Sequence, residues 1–383
     1  MRPSSLPSPA TATPGRASGW VSVYRLHDVG NAIDLVAASA ALQPVAPARA
    51  RPARGEAQAI QIANPPLSVA LGTQALMIDG RDWQVAFSAR VFDFGVCAVQ
   101  ARTAMPDGTS WEDLGALGAR LESTHAVAAA FEAALQRLIH LLGRALERPD
   151  VSPVSESYVV FRVTSLEDEA GQPLTPTAVS DSALARLLLN EKEPIAAGTR
   201  ADLLQHRFSY YENDLAVLTW DNALVVDPRR TDEDVEYVLE FANAQLLELR
   251  VYDAALDAEL PQMYDRIAAA RGRDGVRRFA LPKRPLRQVL ADLQTRVADV
   301  TETVERAENA LKVTDDVYLA RLYAGALDLF RATAWRRGID RKLEIMRQSY
   351  AMLNDEAQSA RSHRVEVTIV LLIVAELVVG LLR

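Results

Sequence analysis

Strand-like and helix-like hydrophobic patterns alternate through roughly the first 230 residues. Alternating or β-branched and aromatic runs favour strands, and apolar residues repeating every three or four positions favour helices. The strand patterns cover Trp20–Leu26, Asp82–Gln100, Tyr158–Val163 and Phe208–Asp227, and the helical patterns cover Ala32–Leu42, Thr124–Glu147 and Ser182–Leu189. Strands that follow one another closely, such as those on either side of Trp220–Asn222, favour antiparallel pairing. The pattern therefore predicts an α+β domain with a mixed or antiparallel sheet over residues 19–230.

Heptad spacing of apolar residues runs through much of the C-terminal third. It occurs in three segments, at residues 235–260, 286–311 and 339–364, and predicts long coiled-coil-like helices in a stalk over residues 231–364. Lys312–Asp315 and Gly338 are break points that would allow an antiparallel hairpin, but the spacing leaves open whether the seams pair within one chain or between chains. Asp253 is an acidic residue on the first seam. Either it pairs with a buried donor and fixes the register, or the true seam is rotated toward Tyr252.

The last residues of the sequence have the composition of a membrane-spanning helix. Val367–Leu382 contains 16 residues with one charge, Glu376, and would span about 24 Å as a helix. Arg361, His363 and Arg364 precede it and only Arg383 follows, so the positive-inside rule places the bulk of the chain in the cytoplasm. We therefore expect a single-pass tail anchor over residues 365–383 in the bacterial inner membrane, with Val367, Leu371, Glu376 and Leu382 among its residues. A core helix is the alternative for this segment.

The position of Glu376 in this segment has consequences for the oligomeric state of the anchor. A carboxylate near the bilayer midplane is costly unless it is protonated or paired. If the third seam continues through Leu371, Glu376 lies on the far side of that seam, so a two-stranded coil would leave it facing lipid. Self-association into a larger oligomer, pairing with a second helix, or a neutral carboxyl would each resolve this.

Two stretches lack any hydrophobic periodicity. Residues 1–18 contain four prolines and no apolar run of the length a signal peptide needs, so they are expected to be a disordered tail. Gln43–Gln58 is rich in Pro, Ala and Arg and predicts a flexible loop. Targeting or docking arms are the alternative interpretation of both stretches.

Charge adds one local feature to this picture. Lys and Arg total 42 against 50 Asp and Glu, a net charge of −8, which argues against a generally basic nucleic-acid coat protein. One stretch nevertheless has a single acid and seven basic residues: Arg271, Arg273, Arg277, Arg278, Lys283, Arg284 and Arg287. This basic linker is either a solvated connection or a binding patch for an anionic partner, such as lipid head groups or RNA.

Motifs for catalysis, cofactors or metals are not found in the sequence. There is no Walker-type loop, no HExxH and no G-x-S-x-G motif. Glu212, Asp214 and Asp221 flank a predicted strand and could hold a metal, but surface turn residues are the simpler interpretation. Cys97, the one cysteine, excludes an intramolecular disulfide and lies in an apolar strand pattern, which is typical of an inert core thiol.

Several blocks of the sequence resemble the Rmd/YagE-type family, a domain of unknown function. They are Ser209–Asp227, Leu239–Asp253 and the segment that starts at Thr314 and ends in Ile369–Glu376, with a looser match at Val91–Val99. The resemblance implies an α+β domain, long helices and a C-terminal membrane helix. Relatives named for a requirement in meiotic nuclear division include mitochondrial inner-membrane proteins that support translation by tethering ribosomes. The family has no recognised catalytic residues, and no obvious transit-peptide pattern like that of its mitochondrial members is found in this sequence.

Together, the patterns and the resemblance predict a tail-anchored scaffold that is not an enzyme and needs no cofactor. Its cytoplasmic domain would be held off the membrane by the stalk, self-associate, and link ribosomes or RNA to the bilayer. The alternative is an enzyme or ligand sensor whose site lies in the α+β domain.

Overall fold

A computed structural model describes residues 12–43, 48–49, 61–62, 64–106, 108–229, 233–276, 311–312, 317–349, 351–352, 369 and 372–373. The chain divides into two compact units. The first is Met1–Val251 with Thr303–Thr333, and the second is Tyr252–Glu302 with Ala334–Arg383.

A mixed sheet of nine strands forms the centre of the first unit. The described strands are β1 (Arg16–Asp28), β2 (Gly30–Ile33), β3 (Ala48–Arg49), β4 (Gln61–Ile62), β5 (Leu67–Ile78), β6 (Arg81–Val91), β7 (Val96–Ala104), β8 (Leu146–Pro149), β9 (Ser155–Glu167), β10 (Arg207–Phe208), β11 (Leu215–Leu218), β12 (Asn222–Val226) and β13 (Leu311–Lys312). The order in the sheet is β10-β11-β12-β9-β1-β7-β6-β5-β3, and the pairs β2–β8 and β4–β13 lie outside it. Neighbours in the large sheet pair antiparallel except β9 and β12, which are parallel. The predicted α+β class with a mixed sheet is confirmed.

The helices of the described chain are α1 (Leu35–Ala41), α2 (Trp111–Ser123), α3 (His125–Leu142), α4 (Asp181–Leu189), α5 (Ala197–Leu203), α6 (Asp234–Val276) and α7 (Val317–Leu329). Side-chain caps fix where several of them begin. Ser110 Oγ accepts from Asp113 N at the start of α2, and Ser180 Oγ accepts from Ala183 N at the start of α4. Each cap satisfies a backbone donor that the first helical turn leaves unpaired.

One face of the sheet, with the helices that cover it, forms the apolar core. Alternate residues of β1, such as Val21 and Val23, join Phe161 of β9 and the buried faces of α1 to α4 in one cluster. α3 contributes seven buried residues, among them Phe131 and Leu138. By length and composition alone, His125–Ala145 is the one described helix that could cross a membrane, at 39% buried.

The opposite face of the sheet is covered by polar and aromatic contacts from α6 and α7. Residues 234–248 of α6 are all buried, on every side of the helix. Phe241 of α6 packs edge-on against Phe92 and Phe94 at ring distances of 5.8 and 6.0 Å, and Tyr323 of α7 lies 6.2 Å from the same ring. The heptad pattern at 235–260 correctly predicts a helix here, but a stalk seam would bury one stripe, whereas this part of the helix is buried all round.

In the second unit, α6 continues from Tyr252 and a second helical stretch covers residues 334–349. Ile339, Leu343 and Met346, the first residues of the third seam, are buried, which is a one-faced heptad stripe. Lys342 Nζ donates to Asp253 Oδ1 at 2.7 Å, so the two helical stretches contact each other within one chain. The second seam lies outside the described residues up to Leu311, and Leu311 itself is in a strand.

Three local predictions need correction. β1 begins at Arg16 and Ala17 is buried, so residues 16–18 belong to a strand and not to the disordered tail predicted for residues 1–18. Ala32–Leu42 is only in part a helix, because β2 extends to Ile33 and the Asp34 carboxylate caps α1. Ala48 and Arg49, inside the predicted 43–58 loop, pair with Ser68 and Leu67 of β5, respectively. The larger boundaries, at residues 230 and 364, stay predictions.

Candidate functional site

A row of arginines lies on the polar face of the sheet. Register places Ser22 of β1 opposite Arg102 of β7, and Trp20 of β1 opposite Arg162 of β9, so these four side chains share one face. Arg90 of β6 pairs with Ala98, two positions from Gln100 on that same face. Burying these three cations under a helix would be costly unless the helix supplied acidic partners for them.

α6 and the residue before it supply the acids. Glu233, Glu236 and Glu240 follow the spacing i, i+3 and i+7, which puts them on one side of a helix. Arg102 Nη1 and Nη2 donate to the two Glu233 carboxylate oxygens at 2.7 and 3.1 Å. Arg90 Nη1 donates to Glu240 Oε2. Each carboxylate thus pairs with an arginine from a different strand.

Arg162 is the most enclosed of these cations, with its side chain 1% exposed. Its Nη1 donates to both oxygens of Glu236 at 2.9 and 2.8 Å, and its Nη2 donates to the Arg229 carbonyl at 2.7 Å. The Asp227 carboxylate lies 3.7 Å from Nη2. One guanidinium therefore holds both the first turn of α6 and the segment that leads into it.

Aromatic rings complete the layer. The Arg102 and Arg162 guanidinium carbons lie 5.2 and 5.7 Å from the Trp20 ring, and that of Arg90 lies 4.8 Å from the Tyr237 ring. We call the set Trp20, Arg90, Arg102, Arg162, Glu233, Glu236, Tyr237 and Glu240 the arginine–glutamate layer.

Burial shifts the protonation equilibria of this layer. Burial raises the pKa of Glu236 although Arg162 opposes the shift, and burial raises the pKa of Glu240 to about 7 against the opposing effect of Arg90. Burial is the largest single effect on Glu233 and acts to raise its pKa, but the hydrogen bonds from Arg102 together with the positive charges of Arg102, Arg90 and Arg162 outweigh it, so the pKa falls. The charged form of the carboxylate is therefore favoured in the more exposed pair, Arg102 with Glu233, and disfavoured in the two buried pairs.

The layer is charge-balanced and closed rather than open to a ligand. Its three arginines face three glutamates, and Glu236, Glu240 and Arg162 are buried. Four buried donors have no acceptor among the described residues: Trp20 Nε1, Arg90 Nε, Arg162 Nε and Tyr237 Oη. The arrangement positions α6 on the sheet. None of these residues was predicted from the sequence to form a site.

The three carboxylates suggested for a metal do not come together. Asp214 is buried and holds a turn, accepting from Tyr210 N at 2.7 Å and Tyr211 N at 3.1 Å. Glu212 is exposed, and Asp221 lies at the other end of β11, in the turn to β12. No group of three or more His, Cys, Asp or Glu side chains within the described residues could hold a metal ion.

A small pocket lies beside Asp214, between the ends of β11 and β12 and the start of α6 and α7. Its polar lining includes Asp214, Asp227, Arg229 and Tyr318. Its volume of about 10 Å³ accommodates no more than one water molecule. Arg229 donates to both oxygens of Asp227 at 2.9 and 2.8 Å, and its Nη2 lies 3.7 Å from Asp214 Oδ2, so one cation on the pocket lining pairs with two of its carboxylates.

The remaining predicted sites fall largely outside the described side chains. Arg271 and Arg273 lie in α6, while Arg277, Arg278, Lys283, Arg284 and Arg287 lie outside the described residues. So do the anchor positions Val367, Leu371, Glu376 and Leu382, although Ile369, Leu372 and Ile373 between them are helical and at least half exposed. Asp253 is described, and Lys342 donates to it. Cys97 is fully buried, and burial raises the pKa of its thiol.

The buried carboxyl of Asp28, at the end of β1, is expected to make the stability of the fold depend on pH. Burial, with help from the Asp150 carboxylate, raises its pKa from 3.8 to about 6, although Gly30 N donates to Asp28 Oδ1. A raised pKa in the folded state means that stability falls as pH rises between these two values. We expect Asp28→Asn to raise the free energy of unfolding by about 1–3 kcal/mol above pH ~6.5. Urea titrations across pH 3.5–7.5 would check this, and an equal gain at the acid end would contradict it.

The comparisons with known proteins give a family without an assigned activity. The chain is 25% identical over 238 residues to the uncharacterized protein MJ0711 of Methanocaldococcus jannaschii, a match that covers 62% of this chain and 70% of that relative. No solved structure matches the chain. The family described as "Uncharacterized protein MJ0711, N-terminal domain" matches residues 18–233, which run from β1 to the residue before α6. By this match over more than half of its length, the chain belongs to the family of the MJ0711 N-terminal domain.

Proposed function

We propose that the protein is a membrane-anchored tether or scaffold and not an enzyme. The observation that carries the proposal is α6, a single helix of 43 residues that starts in the buried layer on the sheet and runs to Val276. A helix of that number of residues is about 65 Å long. A long helix suits a protein that presents a domain at a distance from its attachment point, and Pro261 inside α6 is the position at which this helix would bend.

The sequence supplies the proposed attachment. The apolar segment at 365–383 would insert into the inner membrane after synthesis, and the bulk of the chain would remain cytoplasmic. Three of its residues, Ile369, Leu372 and Ile373, are exposed by 51%, 65% and 51%, as expected for side chains that would face lipid. Self-association would use the anchor and those parts of the heptad segments that are not already packed within one chain.

The proposed cargo comes from charge and from the resemblance to the Rmd/YagE-type family. The basic linker at 271–287 contrasts with a chain of net charge −8 and suits an anionic partner, such as RNA or lipid head groups. Tethering of ribosomes, as in the mitochondrial relatives of the resembled family, is the specific form of this proposal. The closed arginine–glutamate layer and the water-sized pocket support a role in presentation more than one in small-molecule chemistry.

Cell fractionation of two forms tests the proposal. Full-length protein is compared with a truncation ending at Arg361, and bound RNA and proteins are identified in each pull-down. We expect the full-length form to pellet with membranes, resist carbonate and bring down ribosomal components, while the truncation stays soluble. A third form with Glu, Gln or Ser replacing the seven basic residues should remain at the membrane but lose RNA.

The outcomes separate the parts of the proposal. Membrane attachment without ribosomal components would keep the anchor and remove the ribosome as cargo. If both forms were soluble, the anchor would be wrong, and an enzyme or ligand-sensing role for the α+β domain would take its place.

A further inference from the structure

The part of the sheet under the start of α6 mixes polar side chains with buried aromatic and apolar ones, among them Tyr24, Tyr158 and Val160. Ser22, Ser88 and Gln100 lie on this face, and Ser88 Oγ donates to Gln100 Oε1 at 2.9 Å. Helices packed on apolar side chains find their axial position by ridges and grooves. Here Ser22, Ser88 and Gln100 replace some of those ridges, and the ion pairs add a directional interaction to the packing of Phe241 on Phe92 and Phe94.

The ion pairs restrict the position of α6 more tightly than its apolar contacts do. Arg102 and Arg162 each contact both oxygens of their carboxylate, and paired contacts of this kind tolerate little displacement. Sliding α6 by one turn, about 5.4 Å, would bring two of the three glutamates toward places that other glutamates now hold, and would leave at least one arginine and one glutamate without a partner. The displaced state would hold buried charges without their partners, which is strongly unfavourable.

The same layer is poorly arranged to add net stability. Glu236 and Glu240 are buried to 1% and 4% exposure, so both carboxylates lose their hydration. Trp20 Nε1, Arg162 Nε and Tyr237 Oη are buried donors without an acceptor in the described part of the chain. Apolar side chains of similar size would avoid these losses.

We propose that the arginine–glutamate layer is a register lock that fixes the axial position of α6 on the sheet and contributes specificity rather than net stability. The lock acts against slipped arrangements of α6, because each slipped arrangement leaves charges buried and unpaired. It is independent of whether the protein is a tether, since the layer belongs to the first unit alone.

The test replaces two complete pairs in the full-length chain, by Arg90→Met, Arg162→Met, Glu236→Leu and Glu240→Leu. We expect the midpoint of denaturant unfolding to stay the same or rise. In spectra with ¹⁵N-labelled phenylalanine, Phe92, Phe94 and Phe241 should each give more than one amide signal, because α6 then occupies more than one register. Phe131, on α3 at the opposite face, should keep a single signal.

A matched control removes an ion pair that does not involve α6. Arg207 and Asp181 form a 3.0 Å pair with side chains 29% and 63% exposed, and Arg207→Met with Asp181→Leu should leave every phenylalanine signal single. The two-residue variant Arg90→Met with Glu240→Leu repeats the test with less change in bulk, and partial doubling is expected at Phe241.

Two results would overturn the proposal. Single signals for Phe92, Phe94 and Phe241 in both layer variants would show that packing alone sets the register. A marked loss of folding in both layer variants, with the surface control intact, would show that the layer provides net stability instead.

Discussion

Arg162→Leu is expected to destabilise the protein by about 3–5 kcal/mol, because it leaves the Glu236 carboxylate buried without a cation. Glu236 is 1% exposed, and both of its oxygens accept from Arg162 Nη1. The substitution also removes the Nη2 hydrogen bond to the Arg229 carbonyl, which holds the segment before α6. Urea unfolding followed by far-UV circular dichroism would measure the loss as a shift in midpoint.

The double variant Arg162→Leu with Glu236→Leu separates the pair from the unpaired charge. With both charges gone, most of the lost stability should return, since apolar replacement of a whole buried pair is often neutral. Arg186→Leu is the surface control, because Arg186 and Glu112 pair at 3.2 Å with side chains 37% and 73% exposed. A loss of under ~1 kcal/mol is expected there. An Arg162→Leu variant no less stable than this control would contradict the prediction.

Local hydrophobic pattern was sufficient to predict several strands and helices of the first unit. β1 and the β6–β7 hairpin have alternating or β-branched sequences, and α3 and α4 have apolar residues on one face. In β6, α3 and α4 burial follows a period that can be read from the chain alone, whereas β7 and the middle of β1 are buried on both faces and are recognised by their β-branched and aromatic residues. The antiparallel pairing of sequential strands followed from their short connections.

Elements that the pattern did not predict have a physical reason for their weak signal. α2 contains Gly115 and Gly118, which lower helix propensity. The structure explains Gly118, since a Cβ there would lie 2.6 Å from the Phe161 ring of β9. β5 is exposed over much of its length, and Gly72 interrupts its alternation at a bulge. The parallel pairing of β9 with β12 joins distant parts of the chain and has no local signature.

The arginine–glutamate layer was missed for a related reason. A helix with Glu236, Glu240 and Glu248 among apolar residues has the composition of a solvated stalk, so its heptad spacing was interpreted as one seam. The acids are buried because Arg90, Arg102 and Arg162 arrive from three separate strands. Arginines at alternating positions of predicted strands, together with acids at i, i+3 and i+7 on a later helix, were the available signal.

Gly95→Ala is expected to cost more than about 3 kcal/mol, because two backbones meet where a methyl group would have to fit. Gly95 has φ +99°, and a Cβ built on it would lie 1.9 Å from the Gly30 carbonyl oxygen. Val29 N donates to Gly95 O at 3.0 Å, so the loop between β6 and β7 cannot move away without losing this bond to the end of β1. Loss of soluble protein, or a large fall in the urea midpoint, is the expected observation.

Gly80→Ala isolates the effect of this close approach. Gly80 also has a positive φ, +75°, in the turn between β5 and β6, but nothing lies within 4 Å of a Cβ built there. The backbone conformation alone should therefore cost about 1–2 kcal/mol. The difference between the two alanine variants measures the backbone contact that joins the β6–β7 loop to β1, on the strand that pairs with both β7 and β9. Equal losses in the two variants would mean that the loop can yield, and that the contact between Gly95 and Gly30 does not help to hold the sheet together.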